Sequence, residues 1–254
     1  MDSAQSPTSA TPPDISIIIP AKDEAENLPI LIDEIAQALT GRQFEVIVID
    51  DGSSDGTGDA MKALSHSMPW LRCIRHEQAC GQSAAVRTGM LNAHGRLIGT
   101  IDGDGENDPA YLPQLIDALV EAGPQTGMAA GQRLKRKAST FKRIASKIAN
   151  KVRGGLLKDG TRDSGCGLKI VRKEVFVLLP YFDSWHRFMA ALVIREGFAI
   201  VHVDVVDRHR RHGQSKYGIW DRFWIGLLDL VGVWWLRRRR KQIPQVTEVT
   251  GGGR

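Results

Sequence analysis

Short apolar runs rich in β-branched residues alternate with amphipathic stretches through about residue 130, and that alternation limits what the chain can fold into. Ile15 to Ile19 is continuous, apolar and closed by Pro20, the mark of a buried strand. Leu28, Leu31, Ile32, Ile35, Ala36 and Leu39 then fall at helical spacing before Gly41. Phe44 to Ile49 predicts a second strand, Thr57 to Ser67 a helix, and Leu71 to Arg75 a strand. Gln82 to Ala93 predicts a helix and Arg96 to Ile101 a strand. Pro109 is expected to open a helix through Leu119, because a proline in the first turn forfeits no hydrogen bond. Such βαβ units imply right-handed crossovers and a mostly parallel sheet covered by helices. Ligands of these sheets bind beyond the carboxyl ends of the strands. Attention therefore falls on the residues after Ile19, Ile49 and Ile101.

Acidic residues gather at those three places. The first strand leads into Pro20-Ala21-Lys22-Asp23-Glu24, the second into Asp50-Asp51-Gly52-Ser53-Ser54-Asp55-Gly56-Thr57, and the fourth into Asp102-Gly103-Asp104-Gly105-Glu106. Helix caps and turns explain one such loop easily, and Ser53 to Thr57 is partly that. They explain three converging loops poorly, since clustered carboxylates raise one another's pKa unless a cation intervenes. In Asp102-Gly103-Asp104 the two carboxylates, two residues apart on extended chain, point the same way. Gly103 lets a ligand approach the backbone. Hard oxygen donors of this kind suit Mg²⁺ or Mn²⁺ with substrate phosphates.

Composition removes other classes. Of 254 residues, 42% are hydrophobic and 25% charged, which is ordinary for a globular chain. Three cysteines without CxxC spacing argue against a disulfide framework or a zinc ribbon. No GxxxxGK[ST] and no GxGxxG after the first strand occurs, which disfavours P-loop and dinucleotide chemistry. The net charge of +5 is concentrated: Ala122 to Lys158 holds ten Lys or Arg and no acid. Further basic clusters run from Arg208 to Lys216, with His209 and His212, and from Arg237 to Lys241. Each is either a solvated face or a phosphate-binding surface. A nucleic-acid binder is the competing class, but only Phe141 interleaves the cations between Arg133 and Arg153.

Several motifs together resemble family 2 glycosyltransferases of the GT-A fold. Ile17 to Asn27 is similar to that family's opening strand and turn, and Val48 to Thr57 to its VDDGSxDGT segment; Asp102-Gly103-Asp104 occupies its DxD place. Asp163 to Lys169 and Arg210 to Tyr217 resemble the polyprenyl-phosphate, dolichol-phosphate mannose synthase-like, sugar transferases. The resemblance spans about residues 15 to 220. It implies an α/β, Rossmann-like mostly parallel sheet, a nucleoside-diphosphate sugar donor, a polyprenyl-phosphate acceptor, and Mg²⁺ or Mn²⁺. By the same resemblance Pro20, Lys22, Glu24, Ile49 and Asp51 line the nucleotide, Asp102 and Gly103 the ribose and diphosphate. Asp104, with Asp102 and Glu106, holds the metal. Arg133, Arg210 and Lys216 contact the diphosphate or acceptor phosphate, with Lys142, Arg143 and Lys147 as further acceptor-phosphate candidates. Lys22 stands where an aromatic often stacks on the base, and Glu106 where relatives often carry Gln.

A lipid monophosphate is already anionic near neutral pH, so transfer to it needs no strong general base. Transfer to a glycan or glycolipid hydroxyl would need one, with Asp163 as the candidate; Asp163 is otherwise a positioning residue. The expected division is a disordered tail over 1–14, the transferase domain over 15–218, an aromatic and basic segment over 219–241, and a second tail over 242–254. Ile219 to Leu236 carries four of the six tryptophans, interrupted by Asp221, Arg222 and Asp229. These charges argue against a membrane-spanning helix. One or two amphipathic helices lying on the anionic inner face of the cell membrane are expected, which makes the enzyme cytoplasmic and peripheral. A core helix or a homodimer interface is the plainer reading of that segment.

Overall fold

The computed structural model describes residues 13–134, 153–209, 219–239 and 247. Seven strands form one sheet: β1 (Ile15–Ala21), β2 (Phe44–Asp50), β3 (Leu71–Arg75), β4 (Leu97–Thr100), β5 (Thr126–Arg133), β6 (Lys169–Arg172) and β7 (Ala199–Val205), in the order β3-β2-β1-β4-β6-β5-β7. β6 alone runs antiparallel to its neighbours, pairing Thr100 with Lys169 on one side and Ala130 with Lys169 on the other. The remaining pairs are parallel.

Helices cover both faces, as a sheet of buried apolar strands requires. On one face α1 (Leu28–Ala38) and α4 (Leu112–Glu121) pack Leu28, Leu31, Ile35, Leu115 and Leu119 against Ile17, Ile19, Val46 and Ile170. α2 (Thr57–Ser65) adds Met61 there. On the other face α3 (Gln82–Asn92) and α6 (Met189–Arg195) bury Val86, Met90, Leu192 and Val193 against Ile18, Ile47, Ile98 and Val171. The single turn α5 (Lys173–Phe176) and the C-terminal α7 (Ile219–Arg238) complete that layer, α7 through Leu230 and Val233.

Pro20 and Pro109 act differently from the sequence reading for physical reasons. Pro20 does not end β1, which continues to Ala21. Ile18 faces β4, where its carbonyl accepts from Ile101, so Pro20, two residues on, faces the same way beyond the last paired residue of β4. Its missing N–H therefore forfeits no ladder bond. Pro109 opens a 3₁₀ turn (Pro109–Tyr111), and α4 starts only at Leu112. Asp14 already belongs to the fold: its N–H donates to Gln43 O (3.0 Å) and its carboxylate pairs with Arg96 (2.6 Å).

Candidate active site

β1, β2, β3 and β4 end at one edge of the sheet, and antiparallel β6 begins there. The loops after β1 and β2 are laced together. Asp23 N–H donates to Ser53 Oγ (2.9 Å), Ser54 N–H to Asp23 Oδ1 (2.8 Å), Glu24 N–H to Thr57 Oγ1 (3.0 Å) and Ala25 N–H to Asp55 Oδ2 (3.0 Å). Asp23 adopts φ 53°, which a short polar side chain tolerates. Ser53, Asp55 and Thr57 thus hold the loops in shape. Pro20 is half-buried and Lys22 exposed; the side chain of Ile49 is fully buried in the core, so only its backbone borders the edge.

Asp51 is buried at the end of β2. Its carboxylate accepts from Cys80 N–H (2.8 Å) and Gly81 N–H (2.8 Å) and lies 2.8 Å from His76 Nδ1. Burial works to raise its pKa, but these partners outweigh it and hold the group below the usual carboxylate range. His76 Nε2 is held by Thr88 Oγ1 (2.9 Å). Gly52 permits the loop's approach: a Cβ there would lie 2.8 Å from Ala79 N, at φ +67°.

Asp102 and Asp104 follow β4. Gln82 Nε2 donates to Asp102 Oδ1 (2.8 Å), and Glu106 N–H to Asp104 Oδ1 (3.1 Å). Burial, then the charge of Asp104, push the Asp102 carboxyl up to about 6, with Lys169 and Arg133 opposing. A buried carboxyl pushed up by a neighbouring carboxylate is suited to a hard divalent cation, which would relieve the repulsion between the two. Asp102, Asp104 and Glu106 do not themselves bring three ligand atoms within 4.8 Å of one another; among the described residues Asp51, His76 and Cys80 do. That second set carries a thiol and an imidazole, softer donors than Mg²⁺ or Mn²⁺ prefer.

Behind the acidic loop, Arg133 is gripped by two carboxylates. It forms a two-pronged pair with Asp163, one contact at 2.9 Å, and reaches Asp207 at 3.1 Å. Burial opposes its charge, but Asp163 and Asp207 more than compensate, so its pKa is raised. Asp207 also accepts from Asn107 Nδ2 (3.3 Å), and Asn107 Oδ1 from Asp102 N–H (3.4 Å). Arg133 and Asp163 therefore support the acidic loop as an ion pair. Arg208 ties the same loop to α1: it donates to Glu34 (2.7 Å) and Asp108, and its N–H to Glu106 O (2.8 Å). Arg210, Lys216, Lys142, Arg143 and Lys147 lie outside the described residues.

The edge thus brings together Pro20, Lys22, Glu24, Asp51, Asp102, Gly103, Asp104 and Glu106. It also holds residues that the sequence reading missed: His76, Cys80 and Gln82 after β3, Asn107 and Asp207 around Arg133, and Lys169. The strand-end rule applied to Arg75 as well would have found the first three. Asn107 and Asp207 carry no local signal, and Lys169 closes the Asp163 to Lys169 segment, whose resemblance gave it no role of its own.

The family model described as glycosyl transferase family 2 matches residues 16–178. The chain is 32% identical over 231 residues to the dodecaprenyl-phosphate galacturonate synthase of Rhizobium johnstonii, covering 89% of this chain and 68% of that protein. It is 29% identical over 208 residues to the undecaprenyl-phosphate 4-deoxy-4-formamido-L-arabinose transferase of Aeromonas hydrophila, covering 81% of this chain and 63% of that protein. Among solved structures, the mannosyl-3-phosphoglycerate synthase of Rubrobacter xylanophilus aligns with TM-score 0.70 at 18% identity over 94% of this chain and 79% of its own. The glucosyl-3-phosphoglycerate synthase of Mycobacterium tuberculosis, crystallised with Mn²⁺, UDP-glucose and phosphoglyceric acid, aligns with TM-score 0.64 at 20% identity over 89% and 79%. The solved structures show the shared GT-A-type fold, and the family match shows the family. The chain belongs to glycosyl transferase family 2 and is a glycosyltransferase.

Proposed function

We propose, taking that family 2 membership as the premise, that the protein moves a sugar from a nucleoside diphosphate to a polyprenyl phosphate with inversion at the anomeric carbon. The observation that carries the acceptor class is the similarity, along 89% of the chain, to a dodecaprenyl-phosphate sugar synthase. The chain spans 68% and 63% of the two relatives' lengths, so their substrates come to it as a proposal.

The site's chemistry supports the reading. Pro20, Lys22, Glu24 and Asp51, with the backbone of Ile49, line the nucleoside end, and Asp102 and Gly103 the ribose and diphosphate. Asp102, Asp104 and Glu106 would hold Mg²⁺ or Mn²⁺, which would neutralise charge on the departing diphosphate. The acceptor's own phosphate oxygen attacks the anomeric carbon as the glycosidic C–O bond breaks. That nucleophile needs no base, which agrees with an Asp163 carboxylate engaged by Arg133 and by Gly165 N–H (3.1 Å). Transfer to a hydroxyl would call on Asp163 as the base. Arg210 and Lys216, and Lys142, Arg143 and Lys147, are assigned to the phosphates by sequence alone; Arg133 acts there through the acidic loop.

No helix among the described residues is long and apolar enough to cross a membrane. α7 instead buries Leu230 and Val233 and exposes Leu227, Leu228, Val231 and Trp235. Arg238 lies over the Trp234 ring (4.1 Å) and Arg239 over Trp235 (5.5 Å). Apolar and aromatic groups edged by arginines suit an anionic membrane surface, which supports peripheral docking on the inner face of the cell membrane.

The test is a panel of labelled UDP- and GDP-sugars with undecaprenyl phosphate and Mg²⁺ or Mn²⁺. Formation of an acid-labile lipid-linked sugar with at least one donor is expected, abolished by EDTA. No lipid product from any donor, with a glycan product instead, would overturn the reading.

A further inference from the structure

Lys169 is the first residue of β6 and sits at the substrate edge only because β6 runs antiparallel. Strand side chains alternate. Ile170 packs with the α1 and α4 layer, and Val171 with the α3 and α6 layer, so Lys169 shares the α3 face. The turn Trp185–Arg187 carries His186, which lies within electrostatic reach of Lys169. Lys169 is 7% exposed.

An ammonium carries three donors. One goes to the carbonyl of Cys166. Among the described residues Lys169 makes no other hydrogen bond and has no carboxylate within 4.0 Å. Two N–H groups of a buried cation therefore lack a protein acceptor, in a setting where buried polar groups are almost always satisfied. Capping one carbonyl does not require a charge; a neutral amide would do it without the cost of burying an ion.

The surroundings favour an anion arriving from outside. Burial, the largest effect, lowers the Lys169 pKa and Arg133 adds to it, while Cys166, Asp102 and Asp163 work to keep the charge, so an incoming anion would be stabilising there. His186, on the same side, is pushed down to about 3 by burial, with Lys169 and Arg187 adding to the effect. It stays neutral and lies 2.8 Å, through Nδ1, from Ser83 Oγ. Ser83 is buried in α3 next to Gln82, which itself binds Asp102. Lys169 is thus the charged member of a polar cluster, with neutral Ser83 and His186, that adjoins the acidic loop.

We propose that Lys169 receives an anionic oxygen of the substrate, a phosphoryl or sugar carboxylate oxygen, beside Asp102. The proposal rests on the transferase reading for the substrate class, but its test does not need turnover. Lys169→Gln keeps a donor for Cys166 O and removes the charge; Lys169→Arg keeps the charge. Calorimetric titrations of the full chain use UDP, UDP-galactose and UDP-galacturonate, which isolate the diphosphate and the sugar carboxylate. A short-chain isoprenyl phosphate supplies the third arm.

Lys169→Gln is expected to weaken at least one anionic probe tenfold or more, with melting temperature within a few degrees of wild type and Lys169→Arg recovering much of the loss. Loss confined to UDP-galacturonate assigns the contact to a sugar carboxylate. Equal loss for all three nucleotides assigns it to the diphosphate, and loss for the isoprenyl phosphate alone to the acceptor. Unchanged affinity for every probe would overturn the proposal and leave Lys169 as a carbonyl cap. If Lys169→Gln does not fold, Lys169→Met is titrated in its place, with the same two outcomes. A wild type that binds these probes yet transfers no sugar to a lipid phosphate would contradict the transferase reading and leave this one standing.

Discussion

At the scale of single residues, the acidic loop and its support make opposite predictions. Asp104 is partly exposed in a loop and carries no core packing. Asp104→Ala is therefore expected to lower transfer by about 10²-fold or more, as when a transition-state charge stabiliser is removed, and to leave the denaturation midpoint unchanged. Wild-type turnover by that variant would remove Asp104 from the metal's ligands. Arg133 behaves differently, because its side chain is 7% exposed and holds both Asp163 and Asp207. Arg133→Ala leaves two partly buried carboxylates facing each other without their cation. A loss of about 3 kcal/mol in urea unfolding is expected. Unchanged stability, with only the acceptor KM raised, would mean instead that Arg133 is a phosphate contact.

At the scale of elements, the sheet has a working edge and a structural edge. Glu45, near the start of β2, lies at the end away from the acidic loops. It accepts from Ser16 Oγ (2.6 Å), His94 N–H (2.7 Å) and Arg72 Nη1 (2.7 Å). Burial works to raise its pKa, but these donors outweigh it and hold the carboxyl below 4.5. A depressed folded-state pKa means that the unfolded chain takes up the proton first. The contribution of Glu45 is then complete above about pH 4.5 and is lost as the pH falls below it through the folded-state value. Glu45→Gln should cost about 1–3 kcal/mol at neutral pH, flatten stability against pH in that acid window, and leave transfer unchanged. Parallel stability curves for the two proteins would refute this.

The strands on that sheet were legible because β1, β2 and β4 are almost wholly buried runs, whose β-branched residues have no other good use. β6 was not. It spans four residues with a lysine at one end and an arginine at the other, and neither its reversal nor its place between β4 and β5 leaves a local trace. The acidic loops were legible for the same reason that they are chemically useful: repeated Asp at strand ends is rare without a cation or a turn to explain it. The pairing of Arg133 with Asp163 and Asp207 spans 30 and 74 residues, and no spacing rule reaches that far. It engages a residue expected at a phosphate with two carboxylates of the chain itself.

At the scale of the whole molecule, the outward face of α7 is where the proposed membrane docking is tested. Leu228 and Val231 are exposed, so Leu228→Glu with Val231→Glu should spare the fold. Flotation with vesicles containing anionic lipid is expected for wild type and lost in the double variant, and activity on a short water-soluble acceptor should persist. Equal flotation of the two proteins would contradict docking through α7. A change from dimer to monomer on gel filtration, with flotation intact, would assign the face to a second copy of the chain instead.

The central claim is that the acceptor nucleophile is a lipid phosphate. It is tested most directly by offering undecaprenyl phosphate and undecaprenol together, with a productive donor and saturating Mg²⁺ or Mn²⁺, and resolving the products by mass and by anomeric NMR. The account predicts sugar on the phosphate alone, joined through a phosphodiester of inverted anomeric configuration. Equal glycosylation of the alcohol, or a product with retained configuration, would contradict it.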